Sequence, residues 1–252
     1  MTAVLFTCAG QRVDIVTAFG RAGATTIATD VDPLAPALYH AAERALVPRV
    51  DDPGYIDALR ALVQVHDVRL IVPLTDLDHL QLAEARDDLG GAVVLVPGPE
   101  TIARCSDKYL AHCFFEEEGI GSPPTWLPDA LPDELPFPVL VKARKGFGSR
   151  HIYRAHDRAE LDFFLAHTTA DSMVQVCCRG EEFSIDVFCD LEGRCLKAIP
   201  RTMIESKGGE SIKGMTIKDA DLIEHGRRVS KRCASSVLRT CSASESQRAC
   251  FR

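Results

Sequence analysis

Lys142 ends an apolar, strand-like run, Val139-Leu140-Val141, and is followed by the basic stretch Arg144-Lys145-Gly146-Phe147-Gly148-Ser149-Arg150. A strand-borne lysine ahead of a glycine-bearing hairpin is one way to hold a polyphosphate. Glycines let backbone N–H groups approach the anion, a serine hydroxyl adds a donor, and the lysine supplies charge. Gly146, Gly148 and Ser149 are the residues placed for that task. The same composition also suits a plain surface hairpin, so the loop by itself leaves both readings open.

The elements around this loop come in two styles. Over the first hundred residues short apolar runs alternate with helical patterns. Strands are expected at Val4–Thr7, Thr26–Thr29, Ala45–Pro48, Val68–Val72 and Ala92–Val96. Helices are expected at Arg12–Ala22, at Pro53–Gln64 behind Asp51-Asp52, and at Leu77–Ala85. Such alternation predicts an α/β unit with a parallel sheet and helices on both faces. Ligands of such sheets sit at the carboxyl ends of the strands, where Gly10, Arg12, Asp30, Thr75 and Asp76 fall. Asp30 and Asp76 serve equally as helix caps. The first turn reads Cys8-Ala9-Gly10-Gln11-Arg12 and lacks a G-x-G-x-x-G fingerprint, which disfavours an oxidoreductase of the dinucleotide type.

From Ser106 onward the style is α+β. Ser106-Asp107-Lys108 leads a helix to Glu118, stopped by Gly119 and Gly121, and a proline-rich connection runs to Pro138. Strands are expected at Val139–Ala143, His151–Arg154 and Met173–Cys177, with a helix at Ala159–Ala166. Glu182–Cys189 and Cys195–Pro200 read as a hairpin turning at Leu191-Glu192-Gly193, and a helix starts at Asp219.

The 252 residues are 46% hydrophobic and 26% charged, ordinary globular values that allow one or two domains. A net charge of −7 argues against general binding of nucleic acid phosphates. No run of 18 apolar residues predicts a membrane span, and Met1–Phe6 lacks the features of a signal peptide. The ten cysteines contain no Cys-x-x-Cys pair and Cys177-Cys178 are adjacent, so reduced thiols are expected rather than disulfides or zinc. A cytoplasmic location follows as an expectation.

In order and spacing the motifs resemble the ATP-grasp superfamily, and most closely its carbamoyl-phosphate-synthase-like branch. Ser106-Asp107-Lys108 looks like the family's first phosphate lysine, and Val141-Lys142 with the Gly146-to-Ser149 hairpin like its second lysine and phosphate lid. Val174-Gln175-Val176-Cys177-Cys178-Arg179-Gly180-Glu181-Glu182 looks like its adenine hinge and ribose clamp. The resemblance implies a Rossmann-like pre-ATP-grasp domain over 1–105 and an incomplete ATP-grasp domain over 106–229, with a lid at about 123–175. It implies that Lys108 and Lys142 neutralise phosphates, with Gly146, Gly148 and Ser149 closing over them. Gln175, Val176 and Cys178 would meet the adenine edge and Glu182 the ribose hydroxyls. Arg201 and Lys213 would take the catalytic contacts to phosphate and acyl phosphate. Many family members carry an acid at Gln175 and a longer apolar residue at Cys178.

The implied activity is ATP-dependent ligation of an unidentified carboxylate to an amine or similar nucleophile, with Mg²⁺ as cofactor. After Val229 the resemblance stops, and residues 230–252 form a tail rich in serine, cysteine and arginine with one acid, Glu245. The family's acidic metal ligands have no counterpart there, so no metal residue is assigned and a non-catalytic nucleotide-binding remnant is the alternative. A reading-frame shift near Lys231 is expected to explain the tail. Sequencing the coding DNA across Val229 to Lys231 checks it, since an intact frame ends the idea. The residues identify neither substrate pair nor oligomeric state.

Overall fold

The computed structural model describes residues 1–146, 151–190, 193–207 and 210–233. The chain divides into two compact units, Met1–Ile102 and Ala103–Arg252.

In the first unit, β1 (Ala3–Thr7), β2 (Thr25–Asp30), β3 (Glu43–Leu46), β4 (Val68–Pro73) and β5 (Val93–Val94) form one parallel sheet, in the order β3-β2-β1-β4-β5. Three helices connect them: α1 (Val13–Arg21), α2 (Tyr55–His66) and α3 (His79–Glu84). β1 is central and buried along its whole length. Because strand side chains alternate, its Ala3 and Leu5 enter one core with Tyr55, Leu59 and Val63 of α2. Its Val4 and Phe6 enter a second core with Val16 of α1. Two-sided burial is why this strand is an uninterrupted apolar run. The third strand lies at Glu43–Leu46 rather than Ala45–Pro48. At the sheet's edge only one neighbour pairs with it, so its residues stay largely exposed and its apolar pattern misplaced it by two positions. Asp52 does not cap α2 directly. It receives the Gly54 N–H at 2.7 Å in the turn before the helix.

The chain continues through α4 (Pro99–Ser106), a helix not expected from the sequence, within which the division between units falls. In the second unit α5 (Lys108–Glu117) follows at once. β6 (Thr125–Trp126), β7 (Val139–Ala143), β8 (Ile152–Ala155) and β9 (Ser172–Val176) make an antiparallel sheet in the order β6-β9-β7-β8, with α6 (Arg158–His167) between β8 and β9. Val139, Val141, Ala155 and Val174 point to a core shared with Leu161 of α6. β10 (Phe183–Cys189) and β11 (Cys195–Thr202) form a hairpin, and β12 (Glu205–Lys207) and β13 (Glu210–Lys213) a smaller one.

The last described element, α7 (Ala220–Cys233), continues four residues past Val229. Asp219 caps it, receiving the N–H groups of Asp221 and Leu222 at 3.0 Å each. Its buried stripe is Leu222, Gly226 and Ser230, one residue per turn. A Cβ at Gly226 would meet Ile185 at 2.8 Å and Ala198 at 3.3 Å. The helix thus lies close on β10 and β11, and its inner face carries small residues that hydrophobic periodicity does not reveal.

Candidate functional site

Asp107 precedes α5 in an extended conformation and accepts the N–H groups of Tyr109 and Leu110 at 2.9 and 3.3 Å. This N-cap starts the helix at Lys108. The same carboxylate takes a two-pronged contact from Arg144, with Nη2 at 2.7 Å and Nε at 3.2 Å. Asp107 is 1% exposed, and burial works against its charge. The Arg144 hydrogen bonds and the two backbone N–H groups outweigh that cost and hold the carboxyl below the usual range. Arg144 also meets Asp171 at 3.3 Å.

This clamp fixes Lys108 against the strand that carries Lys142. The Lys108 backbone N–H donates to the Arg144 carbonyl at 2.9 Å, and its Nζ reaches the carbonyls of Gly146 at 2.9 Å and Arg144 at 3.5 Å. Gly146 has φ of +109°, a conformation open to glycine, with nothing within 4 Å of the place a Cβ would take. A cationic amine is thereby held at the mouth of the β7–β8 loop. Gly148 and Ser149, the other lid residues expected from sequence, lie outside the described residues.

Strand register decides which side chains share a face. Val139 and Val141 face the core, so Leu140 and Lys142 face the other way. Lys142 pairs with Ile152 and Met173, and Leu140 with Arg154 and Gln175. Directly paired residues of antiparallel strands project to the same side. Lys142 and Gln175 therefore stand on one face of the sheet. Gln175 Nε2 donates to the Thr125 hydroxyl at 2.8 Å. Val176 ends β9, its N–H donating to Pro124 at 3.0 Å, and the next N–H, of Cys177, donates to Pro138 at 3.2 Å. Cys178 is half-buried and in no disulfide, and half-buried Glu182 stands just before β10.

Arg201 and Lys213 stand on β11 and β13, outside the sheet that carries Lys142 and Gln175. Arg201 is engaged by Asp186, with Nε to Oδ2 at 2.7 Å and Nη2 to Oδ1 at 2.9 Å. Lys213 pairs across its hairpin with Glu205 and is exposed. The eight described cysteines form no disulfide, and among the described residues no three His, Cys, Asp or Glu side chains converge as a metal site.

The first unit has its own polar cluster. Strand order reverses between β1 and β4, and the carboxyl ends of strands at such a reversal are where open α/β sheets place their ligands. There the Gly10 N–H meets Asp30 Oδ2 at 2.8 Å, and Asp32 N–H meets Oδ1 at 2.9 Å, so Asp30 braces the loop after β1 and caps no helix. Arg12 occupies the position before α1, and Asp76 is exposed in the loop after β4. Asp78 is fully buried and accepts the Tyr55 hydroxyl at 2.7 Å. Burial pushes its carboxyl up, against the pull of Thr7, Tyr55 and His79. Cys8, beside Tyr55, is pushed up to about 11, chiefly by burial and then by Asp78.

Arg144, Thr125 and Asp78 were not singled out from sequence. The one available signal was the spacing of Arg144 two residues after Lys142, and neighbouring Lys145 looks equally suited.

The family described as PylC-like, N-terminal domain, matches residues 4–95, and the ATP-grasp domain family matches residues 105–238. No curated protein matches the chain. Among solved structures, N5-carboxyaminoimidazole ribonucleotide synthetase from Thermotoga maritima is similar at TM-score 0.69 and 18% identity, covering 93% of this chain and 62% of that one. An L-amino acid ligase from Bacillus licheniformis is similar at 0.72 and 15%, covering 93% and 61%. The biotin carboxylase domain of 2-oxoglutarate carboxylase from Hydrogenobacter thermophilus, in complex with ADP, MgADP and bicarbonate, is similar at 0.71 and 15%, covering 92% and 57%. The chain therefore spans about three fifths of the length of these structures. The likeness reaches synthetases and ligases of several kinds and does not single out the carbamoyl-phosphate-synthase-like branch. No helix of the described residues is long and apolar enough to cross a membrane. With the ATP-grasp match running over more than half of its residues, the chain belongs to the ATP-grasp family.

Proposed function

We propose that the second unit binds ATP and that the activity of the lineage is ATP-dependent ligation of a carboxylate, through an acyl phosphate attacked by an amine or similar nucleophile. The observation that carries this reading is the Asp107–Arg144 clamp, which sets the Lys108 amine at the loop following Lys142. Lys108 exchanges its two carbonyl partners for phosphate oxygens, and Lys142 approaches the same polyphosphate from the strand. Preorganised cations of this kind neutralise charge without reorganising during the reaction. Leu140 and Gln175, on the Lys142 face, lie where the base would sit, with Val176 and Cys178 beside them and Glu182 for the ribose. Gly146 and, outside the described residues, Gly148 and Ser149 would close over the phosphates.

Arg201 would contact phosphate after leaving Asp186, with Lys213 on the next hairpin. No step is assigned to a metal.

Calorimetry with ATP on the full chain and on Lys142→Ala tests the reading. The substitution removes a charge-assisted contact, so affinity should fall roughly ten- to a hundredfold. Equal affinity of the two proteins would sink the assignment of Lys142. Binding without any ADP formation would identify a non-catalytic nucleotide-binding protein instead.

A further inference from the structure

Thr125 of β6 pairs directly with Gln175 of β9, which pairs in turn with Leu140 of β7, so the three side chains share the face that bears Lys142. The Thr125 hydroxyl has one proton, and it is donated to the Pro123 carbonyl at 2.8 Å. Only lone pairs are left for the Gln175 carboxamide, which lies 2.8 Å away. The amide nitrogen complements a lone pair and the amide oxygen does not. Half a turn of the carboxamide would bring its oxygen to the hydroxyl, whose proton would have to leave the Pro123 carbonyl, so the turned state gives up one hydrogen bond. The hydrogen-bond chain from Gln175 through Thr125 to Pro123 therefore favours one direction. It leaves Gln175 Oε1 turned away from Thr125 as an acceptor.

A glutamine free to flip recognises either a donor or an acceptor on its ligand. One held in this way recognises a donor. Resting on the nucleotide reading above, we infer that Thr125 is a specificity-determining positioning residue: by fixing the Gln175 carboxamide it selects a base with an exocyclic amino group over one with a carbonyl there. Adenine and hypoxanthine differ at that group, which makes ATP and ITP the discriminating pair. The arrangement gives an uncharged side chain the one-way character of a carboxylate. Thr125 touches no nucleotide itself and acts only through Gln175.

The test is the ratio of ATP to ITP affinity, measured by calorimetry on the full chain. Thr125→Val keeps the shape of the side chain and removes the hydroxyl, while Thr125→Ser keeps the hydroxyl. The preference for ATP should fall roughly tenfold in Thr125→Val, mainly through tighter ITP binding, and persist in Thr125→Ser. A merely structural role would weaken both nucleotides together and leave the ratio unmoved. If Thr125→Val does not fold, Thr125→Ala, which also removes the hydroxyl, carries the test. An unchanged ratio in the folded variant that lacks the hydroxyl overturns the inference while ATP binding still stands. Failure of the unaltered protein to bind either nucleotide overturns the nucleotide reading and this inference with it.

Discussion

Asp78 in the first unit and Asp107 in the second are both sealed from solvent, at 0% and 1% exposure, yet their surroundings treat the carboxyl in opposite ways. Asp107 is met by a guanidinium and two backbone N–H groups, a donor set that favours the ionised form. Asp78 is met by a phenol, with no ion pair to a lysine or arginine among the described residues, and burial lifts it toward the neutral acid. Its Oδ1 and the Thr7 hydroxyl are near enough to influence one another but do not complete a well-formed hydrogen bond. The lesson concerns what each carboxyl holds in place. Asp107 joins a helix start to a strand end and so positions Lys108. Asp78 ties Tyr55 at the start of α2 to the segment after β4.

The largest expected effect comes from breaking the charged pair. Asp107→Asn deprives the partly buried Arg144 of its buried carboxylate and leaves it the exposed Asp171, which should cost about 2 kcal/mol. Unfolding by denaturant, followed through Trp126, the lone tryptophan and a neighbour of the second unit's core, reads this directly. A loss below about 1 kcal/mol would place the pair among ordinary surface bridges. A comparable effect is expected in the first unit. Tyr55→Phe removes the donor to Asp78 Oδ2 and should cost about 1–3 kcal/mol, seen as faster hydrogen exchange at β1 and β4. Unchanged exchange would mean that a water replaces the phenol.

The smallest effects sharpen the contrast through pH. Asp107 has a folded pKa below its unfolded value, so its contribution is present above about pH 4 and is lost as pH falls through the folded value. Asp78 has a folded pKa above its unfolded value, so its contribution is full below about pH 4 and is lost as pH rises through the folded value. Asp78→Asn, which keeps a donor and an acceptor in the same shape, should change stability by less than about 1 kcal/mol at acid pH. It should also flatten the first unit's loss of stability with rising pH. A slope as steep as in the unaltered protein would show that another group titrates there.

Much of this was legible from residue types. Uninterrupted apolar runs announce a parallel sheet because strands buried on both faces need apolar side chains at every position, as in β1. Ser106-Asp107-Lys108 announces a helix start because an aspartate at that place satisfies free backbone N–H groups, and the structure shows it doing so. The edge strand at Glu43–Leu46 was misplaced because exposure removes the pattern that marks a strand. The last turns of α7 were missed because close helix–sheet approach selects glycine and serine, whose burial leaves no hydrophobic signature.

The sequence by itself determined the alternation of the first unit, the ATP-grasp membership and the placing of Lys108 at a helix start and of Lys142 and Gln175 on strands, since these depend on local pattern and on motifs read in order. Tertiary structure alone decided that Arg144, and not Lys145, closes on Asp107, and that Thr125 faces Gln175. Those partners are separated by 37 and 50 residues. Only strand register and helix docking bring such distant residues within hydrogen-bond reach, and neither leaves a mark in local sequence.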